Sequence, residues 1–242
     1  MRSGVLTVLA ALVLAAGVAA GGRFVGDGFK EARLGDRFVT VKGLSERDVR
    51  ADVALWPIRF VATGDDLAQT RAKIAADSRA VAEFLTAQGF PPDAFESQSV
   101  QVTDLLAQPY RSGPVESRFI IAQLIMLHSP DVDRVAAASR ETSRLVDAGV
   151  ILNAEGFPVG PIYLFTGLND LKPEMIAEAT ARAREGAERF AADSGSRVGG
   201  IRQASQGVFQ ILPRDNAPGL AEHEQINKTV RVVSTVDYYL TD

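Results

Sequence analysis

The sequence predicts an α+β protein: largely antiparallel sheets with three helices packed against them, preceded by one N-terminal apolar helix. Segments with the two-residue apolar period of strands alternate along the chain with segments that have the helical period. The predicted strands outnumber the predicted domain helices by more than two to one, which favours helices on one side of sheets. Hydrophobic residues make up 46% and charged residues 23% of the chain, as in a folded domain.

The chain begins with an apolar segment. From Ser3 to Gly22 no side chain is charged, and only Arg2 precedes this run. Its length is about what a helix needs to cross a bilayer core, which favours a membrane anchor over residues 1–22. The small residues at 18–21 would also suit cleavage of a signal peptide. The rest of the chain is therefore expected to face the periplasm from the inner membrane, or to be periplasmic after cleavage.

A linker and a domain are predicted after this leader. Residues 23–36 are mixed in charge and contain glycine, with no sustained period, which is typical of a tether. The domain is expected over residues 37–242. This length suits one large core or two small intertwined ones.

Two strands open the predicted domain. A β-branched run over Phe38–Val41 ends at Gly43, and a longer apolar run covers Ala51–Ala62. The polar residues Ser45–Asp48 between them predict a hairpin. Pro57 has no N–H for a sheet ladder, so the second strand is expected to be an edge strand or to carry a bulge.

A helix and two strands follow. Asp65 or Asp66 is expected to cap the helix, which ends at Gly89. Ser97–Thr103 alternates polar and apolar side chains and predicts a strand with one solvated face, whereas Phe119–Leu127 is apolar on both faces and predicts a central strand. The apolar face of the helix carries Leu67, Ile74, Val81, Ala82 and Leu85.

Two further helices are predicted. One begins at Asp131 and ends at Gly149. The other is rich in alanine and covers about Lys172–Asp193, with Pro173 in its first turn. Small inward residues would let this helix lie close to its neighbour. Its predicted inner face consists of Ile176, Ala179, Ala183, Ala187 and Phe190.

Three more strands complete the pattern. Pro161–Phe165 predicts a short strand, and Ile201–Ile211 predicts another after a glycine-containing turn. A polar segment, Pro213–Gln225, leads to the last strand, Lys228–Leu240, which alternates polar and apolar side chains. The Pro57-bearing strand and this C-terminal strand are the expected edges for subunit pairing.

Several classes of function are not expected from the composition. The net charge of -4 offers no broad basic field, so nucleic acid is not an expected partner. The chain has no cysteine, which excludes disulfides, thiol nucleophiles and thiolate metal sites within it. It contains neither a Gly-x-Ser-x-Gly elbow nor a phosphate-binding loop, and its four tyrosines are too scattered for a stacking platform. No catalytic residue and no cofactor is predicted.

Histidine and tryptophan supply the candidate site residues. His223 lies between Glu222 and Glu224, and an imidazole with carboxylates can hold a divalent cation, although a solvated charge cluster explains the same residues. His128 ends a predicted strand and is expected to satisfy that strand end rather than to act as a base. Trp56 is the only tryptophan; the core is its expected place, and an interface anchor is the alternative.

Several short motifs stand in a specific order over residues 38–240. They are Val39-Thr40-Val41-Lys42-Gly43, Asp52-Val53-Ala54, the helix with Val81, Phe84, Leu85 and Gly89, Phe95-Glu96-Ser97-Gln98-Ser99-Val100 with Pro109-Tyr110, Asp147-Ala148-Gly149, and the alanine-rich helix through Phe190-Ala191 to Val198-Gly199-Gly200-Ile201. In this order they resemble the SIMPL-domain family of bacterial envelope proteins. The family usually has a Gly-Tyr pair at the start of the central strand, where this chain has Ser117, Arg118 and Phe119.

The resemblance implies an exported and often oligomeric protein, linked in some members with stress tolerance and without an agreed enzymatic activity. The expected function is a non-enzymatic envelope protein that assembles with itself or binds another envelope protein, and that contacts the membrane through residues 3–22. One alternative is a periplasmic metal- or small-molecule-binding enzyme that uses His223 with its acidic neighbours. Another is a secreted soluble monomer.

Overall fold

The chain folds into helices and antiparallel sheets, as the sequence predicts. The computed structural model describes residues 12, 14–28, 37–107, 116–153 and 160–241. In chain order the elements are α1 (14–28), β1 (Phe38–Arg50), β2 (Val53–Gly64), α2 (Leu67–Ala87), β3 (Phe95–Asp104), β4 (Phe119–Ser129), α3 (Val132–Ser139), α4 (Ser143–Asp147), β5 (Ile151–Leu152), β6 (Ile162–Leu164), α5 (Leu168–Asp193), β7 (Arg197–Gln206), β8 (Gln210–Pro213) and β9 (Asn227–Thr241).

The predicted leader and linker are covered only in part. Residues 3–11 and 13 of the leader and 29–36 of the linker lie outside the described residues. The helical backbone of α1 continues to residue 28, across the first residues of the predicted linker. None of the described helices combines the length and the apolarity needed to cross a membrane.

The chain divides into two compact units. The first consists of Met1–Ser45, Glu174–Phe209 and Val232–Asp242, and the second of Glu46–Pro173 and Gln210–Arg231. The boundaries fall inside β1, α5 and β9, so each of these elements contributes residues to both units.

A five-stranded sheet carries the larger core, in the second unit. The strand order is β3-β4-β2-β5, with β6 also paired to β2. The prediction of a central strand is confirmed, because β4 lies between β3 and β2 and pairs with β2 from Ala54–Ser129 to Gly64–Phe119. Residues of α2, α3 and α4 pack with this sheet in one apolar cluster.

A four-stranded sheet contains β1, β9 and β7 in that order, with β8 also paired to β9. The predicted hairpin between the first two strands is therefore wrong, since β1 and β2 belong to different sheets. The polar residues that suggested a turn continue the strand instead. Ser45 is buried there, and its Oγ donates a hydrogen bond of 3.0 Å to Glu178 Oε2. Because its hydroxyl has this hydrogen-bond partner, the Ser45 side chain can be buried within a strand and need not lie in a solvated turn.

The number of helices differs from the predicted three. The second predicted helix is interrupted after Ser139 and forms α3 and α4. The third begins at Leu168, so that Pro173 lies inside α5 and not in its first turn. Its buried stripe is Met175, Ala179, Ala183, Ala187 and Ala191, whereas the predicted Phe190 is exposed and Ile176 is only partly buried.

Two strand predictions also need correction. The strand predicted over Ile201–Ile211 is divided into β7 and β8, separated at Gly207, where a β-carbon would approach the Val233 carbonyl oxygen to 2.7 Å. β3 was expected to bury one face, yet seven of its ten residues are exposed, in both of its alternating sets. Such a strand packs little of its surface on the core and meets the sheet mainly through its backbone.

Pro57 does not mark an edge or a bulge. It lies opposite Met126 of β4, with no shift of register. On the other side of β2, β6 pairs with Val53–Leu55 and β5 with Phe60–Val61, and no described strand pairs with the residues between them. A proline is tolerated here because the missing N–H falls beside this gap in the ladder.

Candidate functional site

The predicted metal ligands, Glu222, His223 and Glu224, form a 3₁₀ turn in the second unit. Both of its glutamates form hydrogen bonds within the fold. The Nζ of Lys228 donates to the Glu222 carbonyl oxygen at 2.7 Å and to Glu222 Oε1. The Ala221 N–H donates to Glu224 Oε2 at 3.1 Å. His223 stands between these two carboxylates, and the described residues contain no group of three metal-ligating side chains placed around a common point.

The other two candidates lie on neighbouring strands. His128 is exposed on β4, opposite Leu55 of β2. Trp56 is buried, and its ring meets the ring of Phe84 edge-on, with the centroids 6.3 Å apart. The structure thus places the tryptophan in the core that the second unit builds between β2 and α2.

The sheet edges are not the ones that the sequence predicts. Both expected edges are interior strands, since β2 lies between β4 and β5 and β9 lies between β1 and β7. The strands at the ends of the sheets are β3 and β5 in one, and β1 and β7 in the other. A strand at such a position has backbone N–H and C=O groups on one side that are available to another chain.

These edges differ in how far they are protected. β1 alternates buried and exposed residues and carries five charged side chains within its 13 residues, and β5 has only two residues. β7 shifts its register on β9 twice, between Val198 and Ile201 and between Ile201 and Gln203, and contains two arginines. β3 has one shift, between Ser97 and Ser99, and contains no lysine, arginine or proline. By the usual means of protecting an edge, β3 is the least protected of the four.

A separate cleft of about 340 Å³ lies in the second unit. Its wall consists of residues from the C-terminal end of α3, from β6, from the segment that precedes β9, and from the first residue of β9. Asp52 positions the β6 wall, because its N–H donates to the Leu164 carbonyl oxygen at 2.9 Å and its carboxylate accepts the N–H of Thr166 at 2.9 Å. The cleft therefore has one side supported by the sheet.

Tyr163 is the most buried polar side chain of the cleft, with 6% of its surface exposed. Burial raises the pKa of its phenol above the usual value, the positive charge of Arg140 opposes this rise, and the negative charge of Asp133 adds to it. The phenol is therefore neutral near pH 7 and can donate a hydrogen bond. No polar atom of the described residues forms a hydrogen bond with its hydroxyl.

The rim of the cleft is held by hydrogen bonds. Gln225 accepts the N–H of Asp215 at 3.1 Å and donates to the Asp215 carbonyl oxygen at 2.8 Å. Glu224 is held by the Ala221 N–H, as described above, the Asp215 carboxylate is paired with Arg214 at 3.3 Å, and both acidic residues are exposed. Arg140, at the end of α3, also lines the cleft and has no ion-pair partner among the described residues.

The sequence does not reveal this cleft. Tyr163 and Arg140 lie on different elements. Nothing in the sequence distinguishes them from the other tyrosines and arginines of the chain. A usable signal exists at Tyr163, because a polar-tipped side chain occupies the middle of the short predicted strand Pro161–Phe165.

Comparison with known protein families identifies the family to which the chain belongs. No curated protein sequence matches this chain. The family model SIMPL, described as a protein of unknown function (DUF541), matches residues 39–238, which is most of the predicted domain. The order of motifs noted above spans the same residues, and the chain belongs to the SIMPL family.

Proposed function

We propose that this chain is a non-enzymatic envelope protein that works by self-assembly, in which β3 of one copy pairs with β3 of a second copy. The main support for this proposal is the exposure of β3. This strand ends a sheet, most of its residues are exposed, and it contains none of the lysines, arginines or prolines that protect other edges. The uncharged leader over residues 3–22 supports a place at the membrane.

Symmetric pairing suits the side chains of β3. Two copies of one strand pair antiparallel about a two-fold axis, so a register centred on Gln101 places Val100 of one copy opposite Val102 of the other. These valines are 58% and 53% exposed and lie on the same face of the strand. Pairing would remove apolar surface from water and would give the free backbone groups hydrogen-bond partners.

The test is the mass of the full-length chain in mild detergent, measured by light scattering after size exclusion. Val102→Lys places like charges near each other across the symmetric pair, so we expect the wild type to be dimeric or larger and the variant to be monomeric. Ile201→Lys is the matched control, because Ile201 is about as exposed on β7, a different edge strand, and this variant should assemble like the wild type.

Two results would count against the proposal. A monomeric wild type at micromolar concentration would remove self-assembly. Assembly that survives Val102→Lys would show that another surface, such as the leader, holds the copies together.

A further inference from the structure

We propose that the cleft beside Tyr163 is a binding site for a small zwitterion, namely a free amino acid with an apolar side chain. This site is independent of the β3 edge and of the assembly proposed for it. Its polar groups fall into two sets: a neutral phenol and an arginine come from β6 and the end of α3, and two carboxylates come from the segment that precedes β9.

The first set suits a carboxylate. Tyr163 is only 6% exposed and lines the cleft, and its hydroxyl forms no hydrogen bond within the described chain, so this donor is left for a ligand. Arg140 is near enough for its charge to act on that phenol, and its guanidinium can form paired hydrogen bonds to a carboxylate. Asn227 also lines the cleft, and its side-chain amide has no partner among the described residues.

The second set suits an ammonium group. Asp215 and Glu224 line the same cleft. Glu224 Oε2 accepts the Ala221 N–H and Asp215 Oδ2 is paired with Arg214 at 3.3 Å, so each carboxylate keeps a second oxygen without a hydrogen-bond partner among the described residues. Arg140 and Arg214, the ion-pair partner of Asp215, balance the charges of the two carboxylates. A ligand that carries both a carboxylate and an ammonium group therefore matches the site better than a phosphate or a dicarboxylate, whose charges are all negative.

The remaining wall is apolar and the space is small. Ala136, Leu220 and Ile226 also line the cleft. A cleft of about 340 Å³ is at the lower end of the range for small-molecule sites, so it fits a single amino acid better than a longer peptide. These residues favour an aliphatic side chain such as that of leucine.

The experiment is equilibrium dialysis of the full-length chain with radiolabelled L-leucine. We expect saturable binding of one leucine per chain. The competitors 4-methylpentanoate and 3-methylbutylamine each lack one of the two charges, and each should compete at least about tenfold more weakly than unlabelled leucine. Equal competition by either analogue would contradict recognition of a zwitterion.

Substitutions then locate the site. Tyr163→Phe keeps the buried ring and removes only the hydroxyl, and we expect binding to weaken about fivefold to tenfold, whereas Arg140→Gln should weaken it by tenfold or more. The matched control is Arg144→Gln, since Arg144 is an exposed arginine paired with Glu141 at 3.1 Å and lies outside the cleft. Its binding should equal that of the wild type.

Thermal unfolding of each variant checks that it is folded. Absence of saturable leucine binding to the wild type would overturn the proposal, and so would equal binding by the Arg140 and Arg144 variants. Neither result would bear on the β3 edge, because assembly is measured by mass and without ligand.

Discussion

Gly43 of β1 lies directly against the backbone of Ala179 in α5. A β-carbon on residue 43 would overlap the Ala179 carbonyl oxygen and would lie 2.9 Å from the Ala179 carbonyl carbon. The approach is this close because the strand contributes a glycine and the helix contributes alanines, with Ala179 and Ala183 fully buried. The glycine that was expected to end the first strand is therefore the contact point between strand and helix in the first unit.

Gly43→Ala should destabilise the protein by about 3 kcal/mol, near the upper end for an overpacked core. The obstacle is helix backbone, which cannot rotate away as a flexible side chain can. The measurement is the free energy of unfolding from urea titration, followed by circular dichroism.

Gly186→Ala is the matched control for this substitution. A β-carbon there would meet only Val41 Cγ1, at an ordinary 3.8 Å, and alanine is favoured over glycine in a helix by up to about 1 kcal/mol. This variant should be as stable as the wild type or more so. Equal stability of Gly43→Ala and the wild type would mean that α5 does not approach β1 so closely.

Local features of the fold are predictable where one residue type meets one local requirement. Asp66 caps α2 by accepting the Gln69 N–H at 2.8 Å, and Gly89 ends that helix region with a φ of +86°. Both follow from short-range chemistry that a single sequence displays. The same holds for β4, whose largely apolar run predicts a central strand: β3 and β2 pair with its two edges, and helix residues pack in one cluster with its Ile121, Ile125 and Leu127.

Pairing between distant strands is not predictable in this way. β1 pairs with β9, at the other end of the chain, and a β-branched run reads alike whichever strand lies beside it. The exposed edge of β3 and the cleft were missed for this reason. Tyr163 and Arg140 meet only because β6 joins β2 and α3 packs on the same sheet.

Lys228 shows that the place of a residue in the alternating pattern of a strand can determine its burial more strongly than its residue type does. Lys228 lies two residues before Val230 on the buried face of β9, and its side chain is fully buried. Its ammonium group is compensated by Glu222, through the carboxylate and the carbonyl oxygen. This ion pair holds the turn that forms part of the rim of the cleft.

Glu222→Leu should destabilise the protein by about 3 kcal/mol, because it leaves the charge of Lys228 buried with only a carbonyl oxygen as acceptor. Lys228→Met removes the buried charge itself and leaves a partly exposed carboxylate that water can solvate, so its cost should be about 1 kcal/mol. Urea unfolding of both variants gives the comparison.

The control is Glu46→Gln, which breaks an exposed ion pair with Arg231, a residue of β9 like Lys228. This substitution should lower the free energy of unfolding by no more than about 0.5 kcal/mol. A larger cost for Lys228→Met than for Glu222→Leu would contradict the view that the lysine is the group whose burial requires compensation.

Asp104 at the end of β3 should titrate below the usual range of aspartate. Arg118 donates two hydrogen bonds to its carboxylate, from Nε at 3.2 Å and from Nη2 at 2.8 Å, and this pairing is the main cause of the lowered pKa. Because the folded-state pKa lies below the unfolded one, the stabilisation is present above the unfolded-state pKa and is lost as the pH falls through the folded-state pKa.

Arg118→Gln should therefore raise the pKa of Asp104 and reduce the acid sensitivity of the fold. Part of the lowering should remain, since the Leu106 N–H still donates to Asp104 at 2.9 Å. Carboxyl ¹³C NMR titration of the wild type and the variant measures both values, with Arg144→Gln as a control that leaves Asp104 unchanged; an Asp104 pKa that does not respond to loss of Arg118 would mean that the pairing is absent in solution.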